Sequence, residues 1–257
     1  MAEPAAWPAV PLPREGGPYV VGAEVTNAIG VLFGGWNLGL AVQAATDLTG
    51  GRLRDLSLSH LRPVRAGSEL LLSARSPAPA GSLAHVGIEG RGDDGVAFSA
   101  LAVTGPPAGS PDGPPAPDVA APEDCPPRAY AAGPGTGSSV LLDVRVAEER
   151  VDLGVASWAR LWARVRCPVA DDVRLAVVSD HVPYLLRCAL PRLTGMATVA
   201  ATVRAFGLPV GEWVLLGVSL VAVDERMGVG RVSMWSDGRL VGVAEQTGRL
   251  FTRRLAS

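Results

Sequence analysis

The sequence predicts an α+β protein made of two tandem copies of one unit, each a long helix wrapped by a curved antiparallel sheet. Three observations carry this. The stretch "GPPAGSPDGPPAPDVAAPEDCPPRAYAAGPGTGSS" at 105–139 holds ten of the 22 prolines and lacks apolar periodicity, so it connects the parts on either side. It divides the chain into 1–104 and 140–257. On each side a helix-like apolar run precedes strand-like segments, and counterparts keep a nearly constant offset. Pro63 and Pro209 are 146 apart, as are Leu70 and Leu216, while the turn pairs Asp94–Gly95 and Asp237–Gly238 are 143 apart.

The first helix is expected from Phe33 to Thr49. Leu38, Ala41, Val42, Ala45 and Leu48 follow helical spacing, and no charge occurs from Phe33 to Thr46, so most of its sides should be covered. "RDLSLSHLRPVRAGSELLLSAR" and "AHVGIEGRGDDGVAFSALAVTG" then supply strands, with Asp-Gly as a hairpin turn. The second helix is expected from Asp180 to Leu193, because Val182, Leu185, Leu186, Ala189, Leu190 and Leu193 recur at i, i+3, i+4, i+7, i+8 and i+11. Asp180 would cap it, leaving Pro183 at the third helical position, where its missing N–H costs no bond. "VLLGVSLVAV" is apolar on both faces, as suits a strand with a helix on one side and another layer on the other.

Composition removes several functions. With a formal net charge of −2, the chain has no basic field for nucleic acid. It contains no lysine, so all 23 positive charges are arginines, and Schiff-base chemistry or a phosphate-loop lysine is excluded. Cys125, Cys167 and Cys188 show no paired spacing, and with His60, His85 and His181 they make a poor ligand set; no metal or cofactor is expected. The amino terminus "MAEPAAWPAVPLPREGG" lacks a basic start and an apolar segment, and the longest apolar run, Trp213 to Val223, is too short for a bilayer. A cytoplasmic protein without a membrane partner is the expectation. No G-x-S-x-G occurs, and "GPGTGSS" at 133–139 follows a linker instead of a strand, so neither a serine-hydrolase elbow nor a dinucleotide site is supported.

Three of the polar residues that remain are candidates for one chemistry. A helix start presents free N–H groups and partial positive charge, able to polarise a thioester carbonyl, and a carboxylate such as Asp180 beside it could orient or deprotonate water. In "ATVAATVRAFG", alternation puts Thr198, Ala200, Thr202, Arg204 and Phe206 on one face, so Thr202 is a candidate for the inner side. In "DGRLVGVAEQTGRL", Gln246 shares a face with Leu240, Gly242, Ala244, Gly248 and Leu250, where an amide is costly unless satisfied. Each also has a structural reading: a capping carboxylate, a β-branched strand residue and a structural amide.

The chain resembles the double-hotdog acyl-CoA thioesterases of the thioesterase II (TesB-like) type. The resemblance rests on "FGGW" at Phe33 to Trp36, "HLRPV" at His60 to Val64, "SDH" at Ser179 to His181, "EWVLL" after Gly-Leu-Pro, and "SDGRLVGVAEQ". It implies that Asp180, Thr202 and Gln246 hold an attacking water, with Gly34, Gly35, Trp36 and His181 as substrate-binding positions. It also implies an acyl-CoA substrate of fatty acid metabolism, an apolar tunnel for the acyl chain and arginines for the carrier's phosphates. Departures stand at Ala200, Ala201 and Gly207, where the family commonly has an Asp-His pair and a histidine. Two units in one chain permit a monomer, and a homo-oligomer through exposed sheet edges is compatible. The rival readings are a hotdog hydratase or dehydratase, which needs His60 or His85 to face Asp180, and a non-catalytic acyl-CoA binder.

Overall fold

The computed structural model describes residues 18–76, 81–107, 109, 111–130, 133 and 137–252; the amino-terminal segment read above for targeting and much of "GPGTGSS" lie outside them. The first part contributes β1 (Tyr19–Val20), α1 (Gly34–Thr49), β2 (Arg52–His60), β3 (Glu69–Arg75), β4 (Ala84–Gly92) and β5 (Gly95–Gly105). The second contributes β6 (Leu142–Arg150), β7 (Trp158–Val165), α2 (Asp171–Val178), α3 (Val182–Ala189), β8 (Leu193–Ala205), β9 (Val214–Val223), β10 (Met227–Ser236) and β11 (Arg239–Thr252).

All eleven strands form one antiparallel sheet in the order β1-β3-β4-β5-β2-β8-β11-β10-β9-β7-β6. Outward from the β2–β8 seam the strands run β2, β5, β4, β3 on one side and β8, β11, β10, β9 on the other. The seam runs from Asp55↔Arg204 to Ser59↔Ala200, with an Arg204–Asp55 ion pair of 3.1 Å. In the second hairpin Asp237 and Gly238 both take positive φ, 49° and 76°, the backbone that a two-residue turn between twisted strands requires.

The absence of charge on α1 follows from its burial: Gly35 to Val42 and Ala45 are all buried. Gly50, in left-handed conformation, ends it. Two glycines admit α2. A Cβ on Gly39 would lie 2.7 Å from Val177 Cγ2 and 3.3 Å from Val173 Cγ1; one on Gly35 would lie 2.3 Å from the Val177 carbonyl oxygen. Ascending α1 from Gly35 therefore descends α2 from Val177, so the helices are antiparallel and the positive end of α1 meets the carboxyl end of α2.

The expected single helix from Asp180 to Leu193 is corrected in three ways. It is preceded by α2, it begins at Val182 after a break at 179–181, and Leu193 already belongs to β8. Pro183 accounts for the break, since an uninterrupted helix would drive its ring into the carbonyl of Ser179. His181, at φ −120° and ψ −1°, is the residue that caps α3, and Pro183 occupies its second position. Asp180 is thus released from capping. The short α2 and the strands β6 and β7 carry no strong period and were not anticipated.

The proline-rich segment lies across the outer face of the sheet. Trp162 Nε1 donates to the Ala120 carbonyl at 2.8 Å and Trp235 Nε1 to the Pro114 carbonyl at 3.0 Å. Both tryptophans stand opposite Leu215, which is 1% exposed, so the linker provides the second layer expected over β9.

Candidate active site

Asp180 lies in the break between α2 and α3, 5% exposed, with its carboxylate against the amino end of α1. Oδ2 accepts the Gly35 N–H at 2.7 Å, and Oδ1 accepts the side-chain amide of Gln246. Gln246, on the inner face of β11 and 2% exposed, turns its Oε1 to the Val182 N–H at the start of α3, 3.1 Å away. Its buried amide is therefore satisfied at both ends. Burial raises the Asp180 pKa; the Gln246 amide, the Gly35 N–H and the nearby Arg128 oppose that rise without cancelling it.

Thr202 does not join this pair. Direct cross-strand partners share a face, and the register sets Gln246 opposite Ala201, with Thr202 opposite Glu245 and Ser57 on the outer side. The alternation read from "ATVAATVRA" fails because β8 slips by one residue between its pairs Ala200↔Thr247 and Thr198↔Gly248. Inner positions are Met196 and Thr198 before the bulge and Ala201, Val203 and Ala205 after it. Thr198 is the strand hydroxyl on the Gln246 side; the Thr202 hydroxyl is shielded and has no hydrogen-bond partner among the described residues.

The glycine pair acts through space it leaves empty. A Cβ on Gly34 would lie 2.5 Å from Asp180 Oδ2, and one on Gly35 3.1 Å from Asp180 Cβ, so these residues admit the carboxylate to the tip of α1. The Gly34 N–H, first of the helix, has no partner among the described residues. Trp36, 2% exposed, is a core residue whose Nε1 donates to Tyr19 Oη at 2.9 Å. His181 is 1% exposed; its Nδ1 is 2.7 Å from the Val178 carbonyl and burial lowers its pKa to about 3, so the ring is neutral and Nδ1 donates. Neither Trp36 nor His181 lines the cavity beside Asp180.

That cavity, of about 320 Å³, is lined by Phe33, Tyr130, Pro183, Tyr184 and Met196 among others, with Asp180 in its wall. Two arginines that sequence reasoning did not single out, Arg128 and Arg187, also line it.

Residues 122–250 match the model of the acyl-CoA thioesterase C-terminal domain, and residues 23–105 that of the acyl-CoA thioesterase N-terminal domain. The chain belongs to the acyl-CoA thioesterase family. It is a thioester hydrolase, and its substrate class is acyl-CoA. No curated protein matches the thioesterase. Among solved structures it is similar to a hotdog-fold protein of unknown function from Alicyclobacillus acidocaldarius, with a TM-score of 0.81 and 22% identity over 96% of this chain and 97% of that one. It is similar to the tesB protein of Mycobacterium avium subs paratuberculosis (0.74, 16%, 90% and 91%) and to the acyl-CoA thioesterase II TesB2 of Mycobacterium marinum (0.68, 22%, 86% and 90%). These likenesses establish a hotdog fold for the thioesterase.

His60 of the thioesterase, at the end of β2, holds Asn37 Nδ2 at 3.3 Å on its Nδ1, while its Nε2 has no partner; burial lowers its pKa to about 4. It is neutral and only half-satisfied. Among the described residues no helix is long and apolar enough to cross a membrane, and no group of three or more His, Cys, Asp or Glu could hold a metal ion.

Proposed function

We propose that the protein hydrolyses acyl-CoA by general-base attack of a water held by Asp180 and Gln246, in a double-hotdog arrangement of 1–104 and 140–257 joined by 105–139. The observation that carries this reading is the Asp180 carboxylate, buried beside an apolar cavity and fixed by Gln246 and the Gly35 N–H. Each carboxylate oxygen has two lone pairs and spends one on these bonds, leaving acceptors for a water proton. A raised pKa makes the ionised carboxylate a stronger base than an exposed aspartate.

The thioester oxygen is assigned to the α1 tip. The α3 start is poorly placed for this role, since its Val182 N–H is engaged by Gln246 and Pro183 has none. Among the described residues nothing accepts the Gly34 N–H, and there the α1 dipole favours developing negative charge. Attack yields a tetrahedral oxyanion; its collapse expels the coenzyme A thiolate, and the proton taken by Asp180 is available to that sulfur. Thr198, on the inner face beside Gln246, supplies the hydroxyl that the resemblance sought at Thr202. The acyl chain lies along Phe33, Pro183, Tyr184 and Met196. The enzyme is cytoplasmic, serves fatty acid metabolism and offers its sheet edges for assembly.

Thiol release from acyl-CoAs of graded length tests it, with wild type beside Asp180→Ala. A loss of about 10² to 10⁴ in the variant is expected. Full activity in the variant discards the site; wild-type inertness at every length, with a Tm raised by acyl-CoA, makes the protein a binder.

A further inference from the structure

The linker delivers a cation to the cavity that holds Asp180. The Arg128 N–H donates to the Val144 carbonyl at 2.8 Å, and Val146 N–H donates to the Pro126 carbonyl at 2.9 Å, so this piece of linker is fastened to β6. The Arg128 guanidinium sits 4.2 Å from the Tyr130 ring centroid and 5.2 Å from that of Tyr184. Both rings are themselves anchored: Tyr130 Oη donates to the Leu142 carbonyl at 3.1 Å, and Tyr184 Oη to Glu149 Oε2 at 2.6 Å. A planar fork held between fixed aromatic faces is oriented before any ligand arrives.

That orientation brings the guanidinium into no ion pair among the described residues, although its charge reaches Asp180. The Arg128 Nε is shielded from solvent with no hydrogen-bond partner among them. Asp180 is the one acidic residue lining the cavity among the described residues; it feels the charge of Arg128 but makes its hydrogen bonds to Gly35 and Gln246, and Arg187 adds a second positive charge at the rim. Desolvating a guanidinium nitrogen without a partner is costly, so an arrangement that does so deliberately has a ligand to receive.

We propose that Arg128 is a specificity-determining residue that binds an anionic oxygen group of the acyl-CoA substrate, accepted between Tyr130 and Tyr184. The inference rests on the thioesterase reading of the Asp180 site. Carboxylate and phosphate present the same paired oxygens to the fork, so the anion is either a carboxylate on the acyl group or a phosphate of the carrier.

The test compares wild type, Arg128→Gln and Arg128→Lys on octanoyl-CoA, on suberyl-CoA, which adds a terminal carboxylate, and on S-octanoyl-pantetheine, which lacks phosphates. A charge-assisted pair predicts that Arg128→Gln loses about ten- to a hundredfold in kcat/KM through KM. A loss confined to suberyl-CoA assigns the acyl carboxylate. A loss on both CoA esters exceeding that on the pantetheine ester by tenfold or more assigns the phosphate. Arg128→Lys is expected to recover part of the loss, because it keeps the charge without the fork. Equal kcat/KM for Arg128→Gln and wild type on all three, or an equal loss on all three, overturns the proposal. If wild type hydrolyses none of them, the thioesterase reading fails by itself. Calorimetric titration of the same esters then decides for Arg128: unchanged Kd in Arg128→Gln sinks it, and a selective weakening supports it.

Discussion

Gly34 and Asp180 occupy one space between them: a Cβ on the glycine would stand 2.5 Å from the Oδ2 of the aspartate. The neighbour at Gly35 is constrained differently, since its Cβ would meet a backbone carbonyl, that of Val177, at 2.3 Å. A side-chain end can swing away, whereas a packed helix cannot.

The two glycines should therefore fail in different ways. Gly34→Ala should keep its Tm but lose roughly a hundredfold in kcat as the carboxylate is displaced. Gly35→Ala should lose about 1–3 kcal/mol of stability through separation of α1 from α2. Thermal unfolding and steady-state kinetics on both variants check the contrast, and an intact kcat in folded Gly34→Ala would count against Asp180 as the base.

The acid limb of kcat/KM should lie above 3.8, the ordinary aspartate value, because burial raises the Asp180 pKa and only the ionised form accepts a proton. As pH falls, activity is lost earlier than for an exposed aspartate. The shift has the opposite sign for folding: this group favours the folded state at low pH, and that contribution disappears as pH rises through the folded-state pKa. Gln246→Glu, which sets a second carboxylate against the first, should move the limb further upward. A pH–rate profile for both proteins measures the displacement.

Thr198→Val is expected to lower kcat by at least tenfold, since it removes the inner-face hydroxyl. Thr202→Val should leave kcat unchanged and raise stability by about 1 kcal/mol, because the hydroxyl it deletes is shielded and unpaired. The reverse outcome, with Thr202→Val inactive and Thr198→Val unaffected, would place the working hydroxyl on the other side of the bulge.

Away from the site, Asp172 receives Arg52 Nε at 2.8 Å, Arg52 Nη2 at 3.0 Å and the Leu53 N–H at 3.0 Å, joining α2 to the start of β2. Asp172→Ala should cost about 2–3 kcal/mol in denaturant unfolding. Turnover per folded molecule should stay close to wild type.

Much of this architecture was legible from spacing. The charge-free run of α1 and the Asp-Gly turns each reflect a local rule, and the strands the spacing marked pair in an antiparallel sheet. Gln246 was legible for a similar reason, because an amide in a row of small and apolar residues demands a partner. The helix α2 was missed because Asp171–Val178 carries no strong apolar period, and the start expected at Asp180 falls two residues later, at Val182. The face of Thr202 was missed because a bulge shifts every later side chain in its strand, and nothing in "ATVAATVRA" marks the extra residue. Arg128 stood in a segment read only as a linker.

The sequence by itself determined that a buried helix and antiparallel strands make up the fold, that α1 is enclosed, and that Asp180 and Gln246 are polar groups set in apolar surroundings. Only the tertiary structure decided that Asp180 serves the tip of α1 instead of capping its own helix, that Thr198 and not Thr202 faces inward, and that Arg128 reaches the cavity. The first set follows from periodicity, which acts over a few residues. The second depends on strand register and on helices meeting across 145 residues of chain, as Gly35 and Asp180 do, and such distances are closed only by packing.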